Sequence, residues 1–261
     1  MTFDETLSAA RWLARHWQGG QHLDELPASC RPATPDEARA VQALWPRVVE
    51  DRIAGWKIAA TSKAGQEHIQ VGGPIAGPIF WRHVHHDGAL VSLAHNGMKV
   101  AECEIVFRID RTLAPRPEPY ARAEVMVAVG ALMPGIEVPD SRFRHFERVG
   151  EAQLIADCAC MNDMLVGRPV TPGPQVDELP ALLVQARVSD GRTPQGHGHN
   201  VLGDPVEALV WLVNELRASG RTLVAGQFVT TGACVPPIPV RPGDRVEADF
   251  GWIGRISVRF V

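Results

Sequence analysis

Over the first fifty residues apolar positions recur at helical spacing, and after Gly55 they recur mainly at every second residue. Leu7, Ala10, Trp12, Leu13 and Trp17 mark one helix, which stops at Gly19-Gly20. Thr34 as an N-cap and Pro35 at the first helical position open a second, with Ala38, Val41, Leu44 and Trp45 as its buried stripe. Residues 21–32 connect the two. Beyond them, short strands punctuated by Gly and Pro are predicted at 55–59, 90–92, 99–109, 136–138, 182–188 and 227–231, followed by a closing meander over 245–261. Helical spacing returns only near 121–133, 149–156 and 204–219. Strands this uneven, with so few helices between them, disfavour a doubly wound parallel sheet. The pattern predicts an α+β chain: a helical N-terminal region at 1–54 and a β-rich catalytic domain at 55–261, built as a mixed, mainly β roll.

The strand Lys99-Val-Ala-Glu-Cys-Glu-Ile-Val-Phe-Arg-Ile-Asp110 carries the most informative alternation. Ala101, Cys103, Ile105, Phe107 and Ile109 form an unbroken apolar face. Val100, Glu102, Glu104, Val106 and Arg108 point the other way, toward something polar. Two carboxylates held side by side repel, so one protonates unless a cation or a metal neutralises them. The alternatives are an ordinary solvated strand face and half of a metal site.

Composition narrows the function. The chain has 261 residues, 45% of them hydrophobic and 21% charged, with a formal charge of -4. No Lys/Arg run is present, which argues against nucleic acid or an anionic membrane surface as the main partner. The N-terminus is acidic where a secretory signal is basic, and no apolar run approaches the roughly 18 to 20 residues needed to span a bilayer. A cytoplasmic protein acting on a small molecule is expected. The five cysteines form no Cys-x-x-Cys pair and read as small buried hydrophobes in a reducing compartment.

A hard divalent cation takes oxygen ligands, and Glu102 and Glu104 supply two. Glu137, between Ile136 and Val138 on a short strand, is a candidate third; a salt bridge to Arg142 or Arg144 is the alternative. Lys57, between Trp56 and Ile58, either snorkels to the surface or has a function, since burial near a cation would lower its pKa toward the range useful for proton transfer. Asp157 is a candidate for orienting the site or for capping a local turn. Thr231-Gly232, at a strand end, offers a hydroxyl and close backbone approach for a substrate carboxylate. His83, His85 and His86 lie in one loop and His197 and His199 in another; without a third spaced ligand they read as solvated loops. No dinucleotide fingerprint, P-loop or Gly-x-Ser-x-Gly elbow is present.

Gly55-Trp56-Lys57-Ile58, Ala101-Glu102-Cys103-Glu104-Ile105, Ile136-Glu137-Val138-Pro139-Asp140-Ser141-Arg142, Ile155-Ala156-Asp157, Thr231-Gly232 and Arg241-Pro242-Gly243-Asp244 together resemble the successive motifs of the fumarylacetoacetate hydrolase superfamily, in its 2-keto-4-pentenoate hydratase and oxalocrotonate decarboxylase branch. The resemblance implies a Mg²⁺ or Mn²⁺ site built from Glu102, Glu104 and Glu137 that holds a 2-oxo acid. It also implies catalytic roles for Lys57 and Asp157, and substrate binding by Lys57, Thr231 and Gly232. The implied reaction is hydration of a small unsaturated 2-oxo acid, with decarboxylation or carbon-carbon hydrolysis as alternatives. A homo-oligomer is implied too, and a complex with an enzyme of the same pathway. The sequence departs from the hydratases at Pro74-Ile75-Ala76-Gly77, where they carry Pro-Asp-x-Gly and the decarboxylases Pro-Ile-x-Gly. His145 and Glu147 are a weak match to the His-Glu pair of the hydrolase branch.

Overall fold

The computed structural model describes residues 1–261. Three N-terminal helices come first: α1 (Phe3–Gly19), α2 (Pro35–Ala43) and the single turn α3 (Trp45–Val48). Thr2 caps α1 in a reciprocal box with Glu5, and Gly20 ends it in the left-handed conformation. Thr34 and Pro35 open α2 as their types predict. The strands are β1 (Ile53–Ala59), β2 (Ile75–Phe80), β3 (Val84–His86), β4 (Ala89–Val91), β5 (Val100–Ile109), β6 (Val129–Val138), β7 (Asp163–Val166), β8 (Leu183–Val188), β9 (Gln195–His197), β10 (Phe228–Ala233), β11 (Ile238–Pro239), β12 (Arg245–Asp249) and β13 (Arg255–Phe260). Between them lie α4 (Lys63–His68), α5 (Arg122–Ala128), α6 (Glu151–Ala156) and α7 (Pro205–Ala218). No helix is long and apolar enough to cross a membrane.

One sheet runs β2-β1-β10-β5-β6-β7-β3, with β11 also paired to β5; the other runs β4-β13-β12-β8-β9. Mixed pairing is explicit: β1 is parallel to β10 and antiparallel to β2. The larger sheet is buried on both faces. Ala101, Cys103, Ile105, Phe107 and Ile109 of β5 join a core shared with α7 and the smaller sheet. Val106, from the opposite face of β5, joins a second core with Leu13, Trp45, Phe80, Leu154 and Met164. The acid-bearing face is therefore covered by the N-terminal helices and α6, and is not an exposed polar surface. Trp45 Nε1 donates to the Ala156 carbonyl at 2.9 Å and Gln42 Nε2 to that of Ile155 at 3.0 Å, fixing this cover.

The helix expected at 121–133 ends at Ala128, and the strand expected at 136–138 begins at Val129. Gly130, Val129 and the pairing of residues 129–137 with β5 override the helical spacing there. Strands β2, β3, β7, β9 and β11 lie outside the predicted segments: β2 and β7 are largely buried and lack alternation, while β3, β9 and β11 are only two or three residues long.

Candidate metal centre

Two antiparallel strands place the acids. Glu102 on β5 stands directly opposite Glu137 on β6, and Glu104 opposite Gly135. Because side chains alternate, all three carboxylates leave the same face, and one oxygen from each lies within 4.8 Å of the others. Gly135 matters here: a Cβ on it would press on Met164, Val106 and the Glu104 carbonyl. Glu104 and Glu137 are buried, and Glu102 is half-buried.

Lys57 comes from β1, where its cross-strand partners are Gly77 on β2 and Thr230 on β10. It does not snorkel: the side chain is 3% exposed, and Nζ lies 2.6 Å from Glu137 Oε1. Glu137 Oε1 is thus taken by the ammonium, whereas Glu137 Oε2 and Glu104 Oε1 have no hydrogen-bond donor. The other Glu104 oxygen is held twice, by the Thr230 hydroxyl and by Gly232 N at 2.7 Å. The second contact depends on a bulge between Thr230 and Ala233, where Gly232 takes φ +103 and turns its N–H toward the acid.

Burial and mutual repulsion disturb every acid in the group. Desolvation and the Glu137 charge push Glu102 up to about 7, against the pull of Lys57. Glu104 is raised well above the carboxylate range by burial, Glu137 and Glu102. Glu137 is raised by burial, with Lys57 opposing. Burial alone would lower the Lys57 pKa, as expected from the sequence, but Glu137 and Glu102 outweigh it and raise the pKa instead, keeping Lys57 an ammonium. Three crowded carboxylates, two orphaned oxygens and an all-oxygen donor set fit a hard divalent cation.

The other expected residues are placed differently. Thr231 Oγ1 donates to the Ile105 carbonyl at 2.9 Å, so its hydroxyl serves the sheet, while Gly232 serves through its backbone. Asp157 is fully buried beneath the sheet's cover: Oδ1 accepts from Arg142 Nε, and Oδ2 accepts from Ser141 Oγ at 2.8 Å and Arg142 N at 3.2 Å. Arg142 also reaches the carbonyls of Asp140, Asp157 and Met161. This pair clamps the end of β6 to the turn Cys158-Ala159-Cys160, whose three residues all have φ between 53 and 61°. Such backbone is costly for non-glycine residues and persists only when its surroundings enforce it. Gly77 admits the turn, since a Cβ there would strike the Cys158 carbonyl. His145 is largely exposed and stands 3.8 Å from Glu147. Thr230 was missed; its signal was the alternation that turns it away from Thr231, onto the face of Lys57.

A mixed, curled sheet carrying a buried carboxylate triad and a lysine defines a class of cation-binding α+β domains. This chain belongs to the fumarylacetoacetate hydrolase family: the model of the fumarylacetoacetate (FAA) hydrolase C-terminal domain matches residues 59–261. It is 30% identical over 259 residues to 2-keto-4-pentenoate hydratase 1 of Dechloromonas aromatica (strain RCB), covering 98% of this chain and 97% of that one. It is also 30% identical over 212 residues to 4-oxalocrotonate decarboxylase of Pseudomonas putida, covering 81% and 78%. A solved structure of 4-oxalocrotonate decarboxylase from Pseudomonas putida G7, complexed with magnesium and adipate, superposes with a TM-score of 0.89 at 26% identity, over 100% of this chain and 99% of that one.

Proposed function

We propose that this chain is a metal-dependent hydratase, a lyase that adds water to a small unsaturated 2-oxo acid such as 2-hydroxypenta-2,4-dienoate. The observation that carries this reading is the convergence of Glu102, Glu104 and Glu137, with orphaned oxygens, beside the Lys57 ammonium. Glu102, Glu104 and Glu137 hold Mg²⁺ or Mn²⁺ in this reading. The bound cation would supply a Lewis acid for the substrate's carboxylate and keto oxygens, drawing off the negative charge that develops there. The chain's own residues do the rest. Thr230 and Gly232 orient Glu104, leaving its free oxygen for the cation. Lys57 stays protonated beside Glu137, so it is placed to donate to a substrate oxygen or return a proton to carbon. The cover of α1, α2 and α6 keeps water from the ammonium and the acids.

Decarboxylation is the second reading, and one residue favours it. Ile75 is buried and lies two residues from Gly77, the partner of Lys57, so it shares the lysine's face and offers no acid there. The 30% relatives include both activities and do not separate them. The hydrolase reading has only the exposed His145–Glu147 pair behind it. All five cysteines are free and buried, which suits the cytoplasm, and a homo-oligomer is part of the proposal.

The test is turnover of 2-hydroxypenta-2,4-dienoate, followed as loss of its ultraviolet absorbance, before and after chelator treatment and Mg²⁺ readdition. Metal-restored loss supports the hydratase. Carbon dioxide release from an oxalocrotonate-type substrate, without hydration, moves the assignment to the decarboxylase. Full activity after chelation ends the metal reading.

A further inference from the structure

We propose that the Thr61 hydroxyl is a substrate-binding group, one that donates a hydrogen bond to the carboxylate of a 2-oxo acid held at the acidic triad; the proposal rests on the metal-dependent reading of that site. From the sequence, this task falls to the hydroxyl of Thr231 beside Gly232. The structure takes Thr231 out of contention, because its hydroxyl is spent on the Ile105 carbonyl at 2.9 Å. A carboxylate that meets a cation through one oxygen still has a second oxygen in need of a donor. Thr61 has the donor to give.

Strand pairing brings it to the centre. β1 runs parallel to β10 with Lys57 beside Thr230, so the residues just past the end of β1 are carried toward Gly232. Thr61 stands against that glycine: a Cβ on Gly232 would strike Thr61 Oγ1, Cγ2 and Cβ, so the threonine side chain fills the space that the glycine leaves. The N–H of the same glycine holds Glu104 at 2.7 Å. The hydroxyl is therefore separated from a triad carboxylate by the backbone of a single residue. Lys57 engages Glu137. A hydroxyl and an ammonium thus come to two different acids of one centre.

Three threonines meet at the bulge, and two of their hydroxyls are in use: Thr230 bonds Glu104 and Thr231 bonds the Ile105 carbonyl. Thr61 is only 6% exposed, yet its hydroxyl makes no hydrogen bond within the chain, where buried hydroxyls nearly always do. Nor is Oγ1 sealed off, as the orphaned oxygens of Glu104 and Glu137 are, so it opens onto space that water or a ligand can enter. The residue itself is fixed. Its carbonyl accepts from Leu202 N at 2.9 Å, and Ser62 after it caps α4 by accepting from Gly65 N at 3.1 Å. Ala60 before it takes φ 58°, which breaks the alternation of β1 and re-aims the next side chain. Backbone of that kind is costly for alanine and persists where its surroundings enforce it.

Oxalate, which mimics the enolate of a 2-oxo acid, is titrated calorimetrically into the full-length protein with and without saturating Mg²⁺, for the parent chain, Thr61→Val and Thr61→Ser. The expected result is oxalate binding that requires Mg²⁺, weakened by about 10- to 100-fold in Thr61→Val, as for a lost hydrogen bond to a charged group, and restored to within a few-fold in Thr61→Ser. Mg²⁺ affinity and melting temperature should stay at parent values in both variants, since the hydroxyl bonds nothing in the protein. KM for the dienoate should rise as oxalate affinity falls, with kcat changed far less, which is the signature of lost substrate binding. Parent-like oxalate affinity and KM in Thr61→Val overturn the proposal and leave a hydroxyl that meets only water. A loss of Mg²⁺ affinity that matches the loss of oxalate also overturns it, because the hydroxyl would then serve the framework of the metal centre. A parent protein that binds no oxalate, or binds it equally without Mg²⁺, overturns the reading of the site itself, and the role of Thr61 falls with it.

Discussion

Lys57 Nζ lies 2.6 Å from Glu137 Oε1, with both side chains almost completely buried. Removing one member of a buried pair leaves the other charge uncompensated, which typically costs about 3–5 kcal/mol. Lys57→Met is therefore expected to destabilise the metal-free protein by about that amount near pH 8. Mg²⁺ should recover part of the loss by neutralising Glu137 in place of the ammonium. Turnover should fall by roughly 10²–10⁴, the usual contribution of a positioned proton donor. Denaturant melts with and without Mg²⁺ give the first figure and steady-state assays the second. A variant with undiminished turnover would remove Lys57 from the chemistry.

The Thr230 hydroxyl and Gly232 N–H both hold one oxygen of Glu104. Thr230→Val keeps the shape and deletes the donor, so Glu104 should lose its orientation and Mg²⁺ affinity should weaken by about 10- to 100-fold. Thr230→Ser should keep most of it. Isothermal titration of both variants with Mg²⁺ decides; equal affinities would mean that Gly232 alone positions the acid.

Much of this centre is legible in the sequence because β-strand alternation is a hard constraint. Glu102 and Glu104 share a face whatever else the fold does, and Ala101 to Ile109 must bury the other. What could not be read is whatever depends on pairing between distant strands. That Glu137 stands opposite Glu102, and that a bulge aims Gly232 at Glu104, are facts of register. The face itself was read as polar because local alternation says nothing of helices packed over it from residues 1–54. Thr61 meets Gly232 for the same reason, through a strand pairing that leaves no local signature.

The raised acids predict a pH dependence with a definite sign. Glu102 is pushed up to about 7, whereas an unfolded glutamate titrates near its ordinary value of about 4.3. Between those values the folded, metal-free chain holds protons that the unfolded chain has released. Its stability should fall as pH rises through that window, and go on falling while Glu104, itself raised well above its ordinary value, still holds a proton. Mg²⁺ competes with the same protons, so its affinity, and the melting-temperature rise it produces, should grow over the same interval. Melts at a series of pH values, with and without Mg²⁺, measure both. A Mg²⁺ effect that stays constant between about pH 5 and 8 would contradict a proton-competing triad.

Asp157 separates a catalytic role from an architectural one. Burial pushes its pKa up to about 6, against the opposing pull of Arg142 and Ser141, and both carboxyl oxygens accept from those residues. With these contacts its task is to hold Arg142, which in turn fixes the carbonyls around the left-handed turn Cys158–Cys160. Asp157→Asn keeps the shape but leaves the guanidinium without a counter-charge, and should destabilise the protein by about 3–5 kcal/mol. If the role is architectural, the folded fraction, assayed well below its melting temperature with saturating Mg²⁺, should keep kcat within a few-fold. Arg142→Lys should then mimic the loss, because a single ammonium cannot reach the several acceptors that the planar guanidinium spans. A kcat lower by 10²-fold or more in a folded Asp157→Asn protein, with Arg142→Lys unaffected, would instead place Asp157 in proton transfer.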